Sequence, residues 1–92
     1  MAVSQVAVQT ERWTLNGRAV DLVEVLRRAV QHHGAVERVS RRQWWARSDR
    51  DPWTWYPVVL EGTEARCGCP AGQSGKACKH ASRVLVEAYG LR

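Results

Sequence analysis

Phenylalanine and isoleucine are absent from these 92 residues, lysine occurs twice, and cysteine three times. Without Phe or Ile, the large apolar volume of a core has to come from Leu, Val and the five tryptophans, so some of the tryptophans belong inside. An odd cysteine count, with Cys67 and Cys69 too close to pair, excludes a disulfide framework. No stretch is long and apolar enough to span a bilayer, and residues 1–9 lack the basic start and apolar run of a signal peptide. A soluble, cytoplasmic protein with reduced thiols is therefore expected. There is no phosphate loop, nucleophile motif or carboxylate pair set up for acid–base work. Asp49 and Asp51 stand in Ser48-Asp49-Arg50-Asp51-Pro52, an ordinary turn composition, so the chain is expected not to be an enzyme. At this length only about 60–65% of the unfolded surface is buried, and a staple is needed.

All three cysteines and one histidine fall between Cys67 and His80, as Cys67-Gly68-Cys69 and Cys78-Lys79-His80. Three thiolates and one imidazole complete the tetrahedral shell of a single structural zinc ion and leave no position for substrate. The same ligand set also serves iron–sulfur clusters. In an extended segment Cys67 and Cys69 point to one side. Pro70 through Gly75 then form a loop that turns back toward the metal. Residues two apart in mid-helix are separated by about 200°, so Cys78 and His80 cannot both ligate from there. Cys78 is expected at a helix entrance with non-helical dihedrals, and His80 in the first turn. Ala77, Ala81, Val84, Leu85 and Ala88 make one apolar stripe, with Gly90 as the stop. Lys76 and Lys79, the only lysines, flank Cys78 and are read as offsetting the site's net charge of about −1.

This run, continuing into Ala81-Ser82-Arg83-Val84-Leu85 and preceded by Trp55-Tyr56-Pro57-Val58-Val59, resembles a SWIM zinc finger. The resemblance extends over roughly residues 40 to 90. It implies a ββα zinc module that binds DNA or proteins within larger machines such as remodelling-type helicases, Mutator-like transposases and partners of recombinase paralogues.

Fourteen basic and nine acidic residues give a formal charge of +5, and twelve of the fourteen are arginine. From Arg38 to Arg50 five arginines interleave with two tryptophans, a composition that joins phosphate-holding forks to base-stacking rings. Arg38, Arg41, Arg42, Trp45, Arg47 and Arg50 are the candidate nucleic-acid contacts. Two function classes follow. One is a nucleic-acid-binding module, for DNA in preference to RNA; the other is a protein–protein interaction adaptor in which zinc is purely structural. A hairpin about residues 48–52 would turn Trp44, and one of Trp53 or Trp55, inward against the zinc helix and leave Trp45 exposed.

In the N-terminal third, Val6, Val8, Trp13 and Leu15 alternate as a bulged strand or small hairpin, and Asn16-Gly17 is a turn. Ala19, Leu22, Val23, Leu26 and Val30 predict a helix over 18–33, closed by Gly34. His32 and His33 in its last turn favour the negative end of the dipole, a reading preferred to metal binding. A helix-turn-helix through Val36 to Arg47 fits poorly, because apolar spacing fails there and a tryptophan-rich segment suits a strand. The fold class is α+β: an N-terminal strand and helix (1–36) packed with a ββα zinc-binding module (37–92), together one small single domain.

Overall fold

The structure, a computed structural model, describes residues 12–91. The alternation expected at Val6 and Val8 lies outside them. Asn16 and Gly17 have φ of 54° and 88°, both in the left-handed region. That pair of conformations makes a two-residue hairpin turn whose twist matches the flanking strands. Strand β1 (Trp13–Leu15) therefore returns antiparallel as β2 (Arg18–Val20). Asp21 then accepts a hydrogen bond from the Glu24 N–H at 2.8 Å and opens helix α1 (Leu22–Ala29). The helix expected over 18–33 is thus shorter at both ends. Its first residues are claimed by the hairpin, because the Asn-Gly turn pairs them across to β1.

The remaining elements are β3 (Val36–Arg38), β4 (Gln43–Arg47), β5 (Trp55–Glu61), β6 (Glu64–Cys67), the single-turn α2 (Pro70–Gln73) and α3 (Lys79–Tyr89). Six strands form one sheet in the order β2-β1-β6-β5-β4-β3. Every pairing is antiparallel except β1 with β6, where Thr14 lies opposite Glu64 and Leu15 opposite Ala65. The fold is α+β with a mixed sheet that runs through both halves of the chain. Val36–Arg38 and Gln43–Arg47 are strands joined by a turn, so the helix-turn-helix alternative is absent.

Helix α3 crosses β4, β5 and β6, and α1 packs against α3 on the same side. Strand alternation turns Trp44, Ala46, Val58, Leu60, Ala65 and Cys67 toward the helices. Ala81, Val84 and Leu85 of α3 are completely buried against them. Burial of a Val or Leu side chain contributes about 1.5–3 kcal/mol, so this stripe anchors the helix that carries the metal ligand His80. Gly90, with φ of 62°, ends α3 in a left-handed cap as its sequence position predicts.

Of the five tryptophans, Trp13 and Trp44 are buried. Neither Trp53 nor Trp55 faces the zinc helix. Trp53 is 90% exposed in the β4–β5 turn, and Trp55 pairs with Arg47, whose side chain lies on the helix-free face. One residue further along β5, Tyr56 takes the inward position instead, its ring 5.0 Å from that of His80. A period of two decides this: shifting the inward residue from 55 to 56 exchanges every face assignment on the strand.

Candidate metal centre

Cys67 ends β6 facing the core, and Cys69, two residues on, is the N-cap of α2 with extended dihedrals. Cys78 is the N-cap of α3, with φ −137° and ψ 160°, and His80 lies in that helix's first turn. This is the non-helical entrance that the Cys-x-His spacing requires. One ligand atom from each of the four residues lies within 4.8 Å of all the others, and all four residues are buried. Bonds of about 2.0–2.3 Å to one ion suit that spread.

Two observations test whether zinc fits. Both ring nitrogens of His80 are buried, and neither makes a hydrogen bond of normal geometry. An imidazole hidden in this way costs free energy unless something binds it. The second is electrostatic. Hydrogen bonding with Cys69 and Cys78, together with burial, drives the Cys67 thiol pKa far up, while Cys69 is driven down by hydrogen bonds from Cys67 and Cys78. Burial lowers the His80 pKa, but the Cys69 and Cys78 sulfurs outweigh it and hold the ring at about 9. Crowded sulfurs that cannot all ionise alone, beside an imidazole drawn toward positive charge, form a donor set completed by a divalent cation. The cluster is a site for one zinc ion, with Cys67, Cys69, Cys78 and His80 as ligands. When bound, the ion cross-links a strand end to a helix start.

The supporting shell comes largely from outside the motif. Asn16, 6% exposed, accepts the Cys67 N–H at 2.7 Å through Oδ1. Its Nδ2 donates to the Lys76 carbonyl at 2.8 Å and to Cys78 Sγ at 3.3 Å. One side chain of the N-terminal hairpin therefore ties both halves of the ligand set together. Further N–H donors reach sulfur from Gly72 to Cys69 at 3.3 Å and from Ala81 to Cys78 at 3.4 Å. Hydrogen bonds of this kind favour thiolate over thiol. Gly72 is required by proximity: a Cβ there would fall 2.0 Å from the Cys67 carbonyl oxygen.

Around His80 the packing is equally specific. His32 is buried, its ring edge-on to His80 with centroids 5.2 Å apart. Its Nε2 lies 2.7 Å from the Arg47 carbonyl, and the Arg83 guanidinium approaches its Nδ1 at 3.4 Å. Because Arg83 can only donate, Nε2 carries the proton and the ring is neutral. Burial, which outweighs the Arg47 carbonyl and the Asp49 charge, holds its pKa below the usual histidine value. The expected dipole-capping role of His32 is therefore corrected: α1 ends at Ala29, and His32 turns inward as a neutral wall of the metal site. Gly34 serves a close approach and not a helix cap, since a Cβ would meet the Arg47 carbonyl at 2.7 Å.

Asp49 links the same region. Its carboxylate accepts N–H groups from Gly34 at 2.7 Å and His33 at 3.1 Å, and pairs with Lys79 at 2.8 Å. Burial would raise its pKa, but Lys79 and the two amides hold it at about 2. Lys79 is thus committed to Asp49, so its expected part in offsetting the metal site is shared with that carboxylate. Asn16, His32, Asp49 and Arg83 were missed as site residues by sequence reasoning. Only the buried turn position of Asn16 had a local signal, and that signal pointed to a turn.

The six candidate nucleic-acid contacts are not brought into one cluster. Arg38 lies opposite Trp44 on the helix side, its guanidinium 6.0 Å from that ring's centre. Trp45, 37% exposed, and Arg47 lie on the helix-free face, with the Arg47 guanidinium 5.9 Å from the centre of the Trp55 ring. Arg41 and Arg42 occupy the β3–β4 turn, where Arg42 pairs with Glu61 at 2.9 Å. Arg50 lies in the turn at the opposite end of β4. Alternation along β4 and the length of the strand divide the run.

No helix among the described residues is long and apolar enough to cross a membrane. No curated protein and no solved structure matches the chain. The family model described as SWIM zinc finger matches residues 56–89, a narrower span than the 40–90 read from the motif. With the four ligands inside that span and its strand–strand–helix order in place, residues 56–89 are a SWIM zinc finger.

Proposed function

We propose that the protein is a zinc-stabilised binding module that contacts nucleic acid, DNA in preference to RNA, and performs no catalysis itself. The SWIM resemblance supports a setting in recombination, transposition or helicase-type machinery. The observation that carries the reading is the helix-free sheet face. There Trp45 is open to solvent, and Arg47 lies over Trp55 beside it. Among the described residues no carboxylate pairs with Arg41, Arg47 or Arg50. Aromatic faces accept bases by stacking, and unpaired guanidinium groups accept phosphates. Stacking contributes about 1–3 kcal/mol per base, so Trp45→Ala with Arg47→Ala should weaken binding of a single-stranded oligonucleotide about tenfold or more, at unchanged zinc content. Equal affinity for the wild type and this double variant would reject the proposal.

A second reading, the protein adaptor, is favoured by the charge of the same face. Arg42, Arg47 and Arg66 are balanced by Glu37, Glu61 and Glu64, with Arg42–Glu61 and Arg66–Glu64 already paired. Trp45, Pro57 and the 40% exposed Val59 form its apolar centre. Neutral rims around apolar centres suit protein surfaces better than phosphates. If affinity for oligonucleotides shows no dependence on salt, this reading replaces the first.

A further inference from the structure

The concentration of positive charge that the fold creates is not the Arg38–Arg50 run. Two hollows adjoin at the zinc end of the molecule, sharing Arg28 and Ala77 as a common wall. The first, about 410 Å³, is lined by Arg28, Arg50 and Lys79 together with the metal ligands Cys69, Cys78 and His80. The second, about 470 Å³, is lined by Arg18, Arg28 and Lys76. These cations come from β2, α1, the β4–β5 turn, the segment after α2 and the start of α3, so no stretch of sequence displays them together. Five cations meet only two carboxylates in the hollows, Glu24 and Asp49, and the net charge of about −1 carried by a zinc–trithiolate site. On the helix-free face, three cations meet three carboxylates.

We infer that the adjoining hollows at the zinc end hold successive phosphates of a nucleic-acid backbone, with Arg18 and Lys76 in one and Arg50 and Lys79 in the other, and Arg28 between them. The inference rests on the nucleic-acid reading and names where the phosphates sit. Arg18, Lys76 and Arg50 are exposed, and none has a carboxylate partner among the described residues, so their full charge is available. Arg28 and Lys79 are half-buried and held in place by Glu24 and Asp49. Held cations position a ligand, whereas exposed ones supply most of the counterion release. Arg50 also connects this end to the helix-free face. It lies three residues past Arg47, the end of β4, and the Arg47–Trp55 pair is the last of the β4–β5 ladder before the turn. A strand whose bases stack on that face can thus run its backbone round the turn into the hollow.

The test compares the zinc-loaded full chain with two double variants, binding duplex and single-stranded oligonucleotides over a range of salt. In Arg18→Ala with Lys76→Ala, the slope of log affinity against log salt should fall by about 1.8 on duplex and about 1.4 on single strand. Arg38→Ala with Arg41→Ala, which removes equal charge from the sequence run, should change the slope by less than half as much. Zinc content and circular dichroism confirm that both variants are folded. A reduced slope in the Arg38/Arg41 variant alone would overturn the inference and leave nucleic-acid binding standing. A wild type that binds no oligonucleotide at low salt would overturn both.

Discussion

Residues 12–35 and residues 56–89 solve the same problem in opposite ways. The C-terminal segment gathers four metal ligands and a buried helix stripe, and organises itself around one ion. The N-terminal segment has no such centre, only a tight hairpin and an eight-residue helix. Yet β1 pairs with β6, and Asn16 reaches Cys67, Lys76 and Cys78. The family-matched part is therefore in direct contact with the N-terminal hairpin through both sheet and ligand set. Its ligand geometry is completed by a hairpin some sixty positions away in the chain, whose Asn16 amide is 62 residues from Cys78.

The strongest way to break this comparison is to remove the metal. Apparent zinc-binding energies of about 10–16 kcal/mol match or exceed a domain's net stability of about 5–15 kcal/mol. Chelation, or Cys78→Ser, should unfold residues 56–89 and, with them, the β1–β2 hairpin. Loss of far-UV circular dichroism and of amide protection at Leu15 and Asn16 measures the coupling. Protection that survives at those two amides would show that the N-terminal part folds independently.

A smaller effect is expected at the joint itself. Asn16→Gly keeps the left-handed backbone but deletes the amide, and should weaken zinc affinity by about 10–100-fold in chelator competition. Asn16→Asp should weaken it more, since it replaces the N–H donor to sulfur with a negative charge. Equal zinc affinity in wild type and both variants would make the hairpin a mere neighbour.

The smallest effect belongs to Asp49, which joins residues 33–34 to the first turn of α3. Its folded pKa of about 2 lies below the ordinary 3.8. Its contribution is therefore complete above pH 3.8 and lost as pH falls through about 2. Asp49→Asn should cost about 1 kcal/mol at neutral pH once solvent screening of the partly exposed pair is allowed for. That cost should remain constant from pH 7 down to about pH 4 in denaturant titrations. A difference that changes across this interval would assign the effect to another group.

The metal centre was legible because its information is local. Cys67, Cys69, Cys78 and His80 lie within fourteen positions, and the geometry of a strand end and a helix start determines how such spacings can converge. The α3 stripe and its Gly90 stop were legible for the same reason. The helix over 18–33 was misjudged because apolar spacing at Ala19 and Leu22 carries no record of the hairpin that claims residues 18–20. His32 looked like a surface cation, and its burial beside His80 depends on two helices packing over the sheet.

By itself the sequence determined the ligand set, the helix that presents its last member and the Asn-Gly turn. Each depends on dihedral preferences or donor chemistry within a few residues. Only the tertiary structure decided that β1 lies parallel to β6, that Asn16 braces the thiolates, that the Arg38–Arg50 run is split between faces, and that Arg18, Arg28, Arg50, Lys76 and Lys79 converge. These depend on contacts between distant segments, where burial and strand alternation, not neighbouring residues, fix which side chains meet.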